Sequence, residues 1–138
     1  MKYLDEKNVL QLLNRSEIKH SIVISDPSIK DCPMVYVSKE FCEQTGYKMK
    51  DVLGKNCRFL QGPETDPNDI EQIRLAIRLK KKITIDILNY KRNGEKFWNR
   101  LRIMPIFDEK KKLIYFAGEQ NPISIESVRR YSFGKIID

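Results

Sequence analysis

Three segments in the C-terminal half, residues 83–91, 96–106 and 113–120, alternate apolar and polar side chains with a period of two, and no other feature constrains the fold more. On the first, Ile83, Ile85, Ile87 and Asn89 share a face. On the second, Phe97, Asn99, Leu101 and Ile103 share one, with Trp98, Arg100 and Arg102 opposite. On the third, Phe116, Gly118 and Gln120 face away from Tyr115, Ala117 and Glu119. The apolar faces must turn inward, and three amides, Asn89, Asn99 and Gln120, go with them. A buried amide without a partner costs about 1–3 kcal/mol. A single one usually bonds to backbone or a neighbour. Three on one apolar face suit a flat ligand whose edge carries carbonyls and an N–H.

The turn between the first two strands tests this register. A two-residue Asn93-Gly94 loop would set Asn89 opposite Trp98 and send Asn99 to the other face. A three-residue loop, Arg92 to Gly94 with Gly94 left-handed, pairs Asn89 with Phe97 and keeps both asparagines inside. The second is expected because it also buries the aliphatic residues.

Upstream, residues 3–15 read as an amphipathic helix through Leu4, Val9, Leu10, Leu12 and Leu13. So short a helix is marginal alone in water, so its stripe must cover this domain or a second copy of it. Ser21 to Ser25 and Met34 to Val37 read as strands. Ser38 is a helix N-cap, and that helix ends near Gly46. Asp66 caps a helix from Pro67 to about Lys80, with Pro67 at its first position and a broad buried face of Ile70, Ile73, Leu75, Ala76 and Ile77. The tail from Ile123 is expected to add a turn or two of helix and then fray. The expected class is one α+β domain: a helical cap over 1–19, a core over 20–121 and a tail over 122–138.

The chain has 138 residues and a net charge of +7. The excess gathers in Lys80 to Lys82 and Lys110 to Lys112, at element edges, and no helix carries a basic stripe with interleaved aromatics. Nucleic-acid binding is therefore not expected. No apolar run approaches the roughly 20 residues that cross a bilayer. Met1 to Lys7 is charged and lacks a signal-peptide core, so a cytoplasmic protein is expected. Cys32, Cys42 and Cys57 are odd in number and match no metal spacing, and the lone His20 builds no metal site. No metal is expected.

The segment Gly54-Lys55-Asn56-Cys57-Arg58-Phe59-Leu60-Gln61-Gly62-Pro63-Glu64-Thr65-Asp66 closely resembles the signature of the light, oxygen, voltage (LOV) branch of the PAS family. The likeness continues through Leu88-Asn89-Tyr90, Gly94 to Asn99 and Phe116 to Gln120. Val23 to Pro27 and Phe41…Thr45-Gly46-Tyr47 also fit, so about residues 21–121 are covered. The arrangement is similar to that of the short bacterial LOV photoreceptors.

The resemblance implies a PAS fold, a five-stranded antiparallel sheet with helices enclosing one flavin mononucleotide (FMN), and a blue-light photoreceptor that is not an enzyme. Cys57 matches the cysteine whose sulfur adds reversibly to flavin C4a after excitation. Asn56 and Gln61 match residues around the ring and ribityl chain. Arg58 and Arg74 match the pair that holds the phosphate, where two guanidiniums suit a group with nearly two negative charges. Asn89 and Asn99 match the amides on the pyrimidine edge. Gln120 matches the glutamine beside N5, which would relay N5 protonation to the flanking helices. Val23, Ser25, Cys32, Met34, Leu60, Ile77, Leu101, Ile103, Phe116 and Gly118 complete the implied cofactor lining. Read alone, Arg74 would be a solvated helix residue, and Cys32 and Cys42 small buried hydrophobes.

Several positions depart from the family pattern. Ser25, Cys32 and Met34 stand where relatives often carry threonine, asparagine and an aliphatic residue, and Met34 is expected to tune the lifetime of the adduct. Glu119 replaces a common valine on the outer sheet face and calls its usual apolar contact into question. A homodimer through the N-terminal helix and sheet face is expected, with a downstream effector protein the sequence does not identify. The competing readings are a flavin-based redox sensor and a ligand-free interaction module. A flavin enzyme would need acid or base groups beside the ring, which the sequence does not supply.

Overall fold

The central sheet comprises β1 (Ser21–Ser25), β2 (Met34–Val37), β3 (Ile83–Tyr90), β4 (Lys96–Phe107) and β5 (Leu113–Gln120), in the order β2-β1-β5-β4-β3, with every pairing antiparallel. The computed structural model describes residues 1–129 and, beyond them, only the backbone of 131–132 and 135–136. The register follows the face alternation: Ile83 pairs with Ile103, Ile85 with Leu101, Ile87 with Asn99 and Asn89 with Phe97. The loop has the three-residue form. Lys91 N donates to Glu95 O at 2.8 Å, and Gly94 takes φ +89°, a left-handed conformation that glycine enters without a Cβ penalty.

Helices and turns follow their capping chemistry. In α1 (Glu6–Leu13), Asp5 and Asn8 form a reciprocal capping box and Asn14 closes the end at φ 53°. These caps make the helix shorter than the apolar pattern over 3–15. Ser38 caps α2 (Lys39–Thr45), and Gly46 ends it left-handed. A single turn, α3 (Met49–Val52), leads to the 3-10 turn Cys57–Leu60. Asp66 caps α4 (Pro67–Arg78). The broad buried face expected of α4 is narrower: Ala76 is buried, while Leu75 is 40% and Ile77 37% exposed. At 100° per residue Leu75 lies well off the Ile70–Ile73–Ile77 face, so it points to solvent.

The two faces of the sheet have separate cores. On the inner side Val23, Met34, Val37, Phe41, Val52 and Leu60 cluster, with Cys57 and Phe59 against them. On the outer side α1 lays Val9, fully buried, over Ile22, Ile24, Val35 and Ala117. Val9, with Leu4 and Leu13 beside it, is thus spent on this chain's own sheet, while Leu10 and Leu12 stay half-exposed outside that cluster. Glu119, on the same outer face, is buried and pairs with Arg15 at 2.5 Å, just past the end of α1. A buried ion pair replaces the apolar contact that a valine would make there.

The tail first adds a short strand and only then the turn of helix that was expected. β6 (Pro122–Ile123) pairs with β4 through Trp98–Ile123 and Asn99–Pro122, continuing β5 in the same register past a break at Asn121. Arg100 N donates to Asn121 O at 2.7 Å, so open β4 edge captures the chain before it can turn helical. Only a 3-10 turn, Ile125–Ser127, follows, and the backbone of β7 (Tyr131–Ser132) pairs with β8 (Lys135–Ile136). The expected fraying at 130, 133, 134, 137 and 138 lies outside the described residues.

Candidate functional site

Between the inner sheet face, the 3-10 turn and α4 lies a cavity. All the residues expected at the cofactor line it except three: Val23, Ser25, Cys32, Asn56, Cys57, Arg58, Leu60, Gln61, Ile77, Asn89, Leu101, Ile103, Phe116, Gly118 and Gln120. Met34 is fully buried in the inner core cluster behind the wall. Asn99 is fully buried within the amide network of the sheet. Arg74 faces solvent and pairs with Glu71 at 2.6 Å. Ile73 lines the cavity and was missed, although it sits one turn before Ile77 on the same face of α4.

The amides form one directed network. Asn121 N–H donates to Asn99 Oδ1 at 2.9 Å, and a backbone amide can only donate. Asn99 Nδ2 must therefore point the other way, where it donates to Asn89 Oδ1 at 3.0 Å and to Gln120 Oε1 at 2.7 Å. Asn89 Nδ2 has only a long bond to Leu88 O, 3.3 Å. Gln120 Nε2 makes no hydrogen bond among the described residues, although Gln120 is buried and lines the cavity. That N–H opens to the cavity, where an acceptor on whatever the cavity holds would complete it. A Cβ built on Gly118 would meet Val23 Cγ2 at 3.2 Å and Gln120 Nε2 at 3.6 Å, so a side chain there would crowd the space next to that donor.

Local geometry places Cys57 on the 3-10 turn that borders the cavity. Asn56 Oδ1 accepts from Arg58 N at 2.9 Å and opens the 3-10 turn one residue before the cysteine. Asn56 Nδ2 donates to Asp31 O at 2.9 Å, and the Arg58 guanidinium bonds both Asp31 carboxylate oxygens at 2.7 and 2.6 Å. Downstream, Thr65 ties the segment to β3 by donating to Leu88 O at 2.7 Å. A Cβ on Gly62 would fall 2.3 Å from the Tyr90 ring, so only glycine allows this approach. Burial pushes the Cys57 thiol up, against a smaller downward pull from a backbone hydrogen bond and Arg58. Cys57 is therefore a neutral thiol at physiological pH.

An acceptor-edged flat ring fits these residues. Amide donors and aliphatic side chains from β1, β4 and α4 line the cavity, with a neutral thiol on the 3-10 turn. Arg58 gives the cavity a cation, although its Nη2 is already held by both Asp31 carboxylate oxygens. Among the described residues no cluster of His, Cys, Asp and Glu could hold a metal, and no helix is long and apolar enough to cross a membrane.

The PAS domain family model matches residues 19–123. Phototropin-2 of Oryza sativa subsp. japonica is 48% identical over 103 residues, 75% of this chain and 11% of that protein. A solved LOV domain from a blue-light activated histidine kinase of Erythrobacter litoralis is 41% identical with TM-score 0.74, covering 78% of this chain and 99% of that one. The dark structure of the LOV domain of the blue-light photoreceptor Aureochrome1 is 36% identical with TM-score 0.77, covering 91% of this chain and 89% of that one. The chain spans less than a third of the length of these curated relatives, from 11% to 31%. With the family model, the sheet order and the Cys57 segment in agreement, the chain belongs to the PAS family, in its light, oxygen, voltage branch.

Proposed function

We propose that the chain is a blue-light photoreceptor module that holds FMN in the cavity and uses Cys57 as its photoactive residue. The observation that carries this reading is that a neutral thiol, Cys57 on the 3-10 turn, and an amide donor without a partner among the described residues, Gln120 Nε2 on β5, line one cavity. A bound flavin supplies absorption of blue light and, on excitation, a ring carbon open to a thiol.

Within this reading each residue has a task set by its surroundings. Cys57 would supply the thiol, its sulfur bonding to the excited flavin and its proton passing to the same ring, both returning when the bond breaks, so nothing would be turned over. Gln120 Nε2 and Asn89 Nδ2 orient the ring edge as donors. Should the group facing Gln120 become a donor, the Gln120 amide would have to turn its oxygen to the cavity. That turn would put Nε2 against Asn99 Nδ2, two donors face to face, and the strain would pass through Asn99 to the Asn121 backbone. Val23, Leu101, Ile103 and Ile77 exclude water. Arg58 is the cavity's own cation for a phosphate, and Arg74 would have to leave Glu71 to join it.

Signal output through α1, the tail or a homodimer belongs to the same proposal. Val9, Leu4 and Leu13 already pack on this chain's own sheet, so a second copy would meet what they leave open, including the half-exposed Leu10 and Leu12. The test is an absorption spectrum of the purified protein before and after a blue pulse, followed in darkness. Reversible loss of a flavin band supports the reading. A flavin band that never bleaches would replace it with a redox role, and a colourless protein that takes up no FMN would end it.

A further inference from the structure

The photoreceptor reading uses one thiol of the cavity and leaves a second, Cys32, without a task. Cys32 lines the same cavity as Cys57, and both are free thiols. The two chain segments that carry them run side by side. Met34 N donates to Lys55 O and Gly54 N to Met34 O, each at 2.9 Å. On the other side Asp31 O accepts from Asn56, and the Asp31 carboxylate forks Arg58 at 2.6 and 2.7 Å. Cys32 sits between Asp31 and Met34 on one segment, and Cys57 sits between Asn56 and Arg58 on the other. These bonds bracket the two cysteines as a pair facing one space. The backbone at Cys32 is left-handed, φ 46°, as it is at Asp31, φ 70°. Holding two successive non-glycine residues there costs conformational energy, and the Asp31 contacts with Asn56 and Arg58 help hold them.

We propose that Cys32 and Cys57 form a redox pair, and that a peroxide oxidant closes a disulfide between them inside the cavity. In the first step one thiolate attacks the peroxide oxygen–oxygen bond, becomes a sulfenic acid and releases water. In the second the other thiol displaces the hydroxyl from that sulfur as a second water. The two thiols together lose two electrons and two protons, and hydrogen peroxide takes them up to leave two waters. Closure removes the thiol that the light reaction needs, so the same cavity would report oxidant as well as light. Only that consequence rests on the flavin reading; the cross-link does not.

The environment sets the rate. Burial, with the neighbouring Cys57 and the carboxylates of Asp26 and Asp31, pushes the Cys32 thiol up to about 11, and burial raises Cys57 as well. Both stay protonated near neutrality, so closure is slow there. It quickens as pH rises and the thiolate fraction grows, about tenfold per pH unit while both thiols remain mostly protonated.

The test is intact-mass and peptide analysis of the full chain as purified and kept in darkness, after brief treatment with hydrogen peroxide at pH 7, 8 and 9. The expected product has lost two hydrogens, carries a Cys32–Cys57 cross-linked peptide, reverts with dithiothreitol and forms faster at each higher pH. In C32S the reversible two-hydrogen loss is absent. A cross-link through Cys42, oxygen added to separate cysteines without cross-linking, or thiols left unmodified would each overturn the pair. Because the readout is mass, a cross-linking protein that fails to bleach would sink the light reading alone. A bleaching protein that fails to cross-link would sink the pair alone.

Discussion

Asn99 donates its side-chain amide to Gln120 Oε1 at 2.7 Å, and this bond decides which end of Gln120 faces the cavity. The direction is imposed from the backbone, because Asn121 N–H occupies Asn99 Oδ1. Replacing Asn99 with alanine would leave the carbonyls of Asn89 and Gln120 and the Asn121 N–H without their partner. The expected cost is about 3 kcal/mol of unfolding free energy, taking about 1 kcal/mol for each group. Urea denaturation of the wild-type and N99A chains measures it, and coincident midpoints would show that the network carries no stability.

Cys57→Ala is expected to keep the flavin and its absorption band and to lose the blue-light bleaching altogether. The alanine removes the sulfur but none of the amide donors or the aliphatic lining. Bleaching that survived with wild-type amplitude in C57A would remove Cys57 from the photochemistry.

Met34 is fully buried in the core cluster on which Cys57 rests, so it acts on the cysteine by packing rather than by lining the cavity. Isoleucine is branched at Cβ and stiffer, and it would restrict the motion that the sulfur needs. A barrier change of about 0.7–1.4 kcal/mol corresponds to a dark-recovery rate altered about three- to tenfold. Identical recovery traces for wild type and M34I would dismiss this role.

The two arginines make different predictions because only one lines the cavity. Arg58→Gln is expected to weaken FMN binding about tenfold or more while leaving riboflavin binding within about twofold, since the loss falls on a charged partner. Arg74→Gln tests whether Arg74 exchanges Glu71 for the phosphate, and a similar FMN-selective loss would show that it does. Fluorescence titration with both flavins separates the cases, and equal losses for FMN and riboflavin in R58Q would detach Arg58 from the phosphate.

Asp86 ties the tail to the outer face of the sheet. Its buried carboxylate accepts from Arg100 Nε at 2.8 Å and from the Arg129 backbone N–H at 2.6 Å, while Arg100 also reaches Ser127 O at 2.9 Å. Burial alone would raise this carboxyl, but Arg100 and the Arg129 amide outweigh it and hold it below the usual range. A lowered folded value means that the stabilisation is full above the unfolded value, about 3.9, and is lost as pH falls through the folded one. Unfolding free energy should therefore drop below about pH 4 in wild type, and more shallowly in D86N. Parallel pH profiles for the two chains would show that Asp86 does not carry this linkage.

Much of this was legible in the residues themselves. The period-two faces of 83–91, 96–106 and 113–120 placed Asn89, Asn99 and Gln120 together, and the hairpin confirmed them through the Asn89–Phe97 pairing. Capping residues at Ser38 and Asp66 marked two helix starts for the same reason: the information is local, held in a few bonds between near neighbours. The motif around Cys57 marked a segment expected to line a cofactor cavity, and it lines a cavity.

Other features depend on contacts between residues far apart in the chain, which no local pattern encodes. The stripe of α1 could have met a second copy, and it was the apolar outer face of β1, β2 and β5 that claimed its Val9 and Leu13. The tail became a strand because β4 offered unpaired backbone at Trp98 to Arg100. Cys32 faces Cys57's cavity because the bonds from Asp31 to Asn56 and Arg58 join two segments 25 to 27 residues apart. By itself the sequence determined the faces of the strands and the caps of the helices, because hydrophobic period and capping act over a few residues. Only the tertiary structure decided what each face covers and which way each buried amide points, because those follow from where distant backbone donors and apolar surfaces meet.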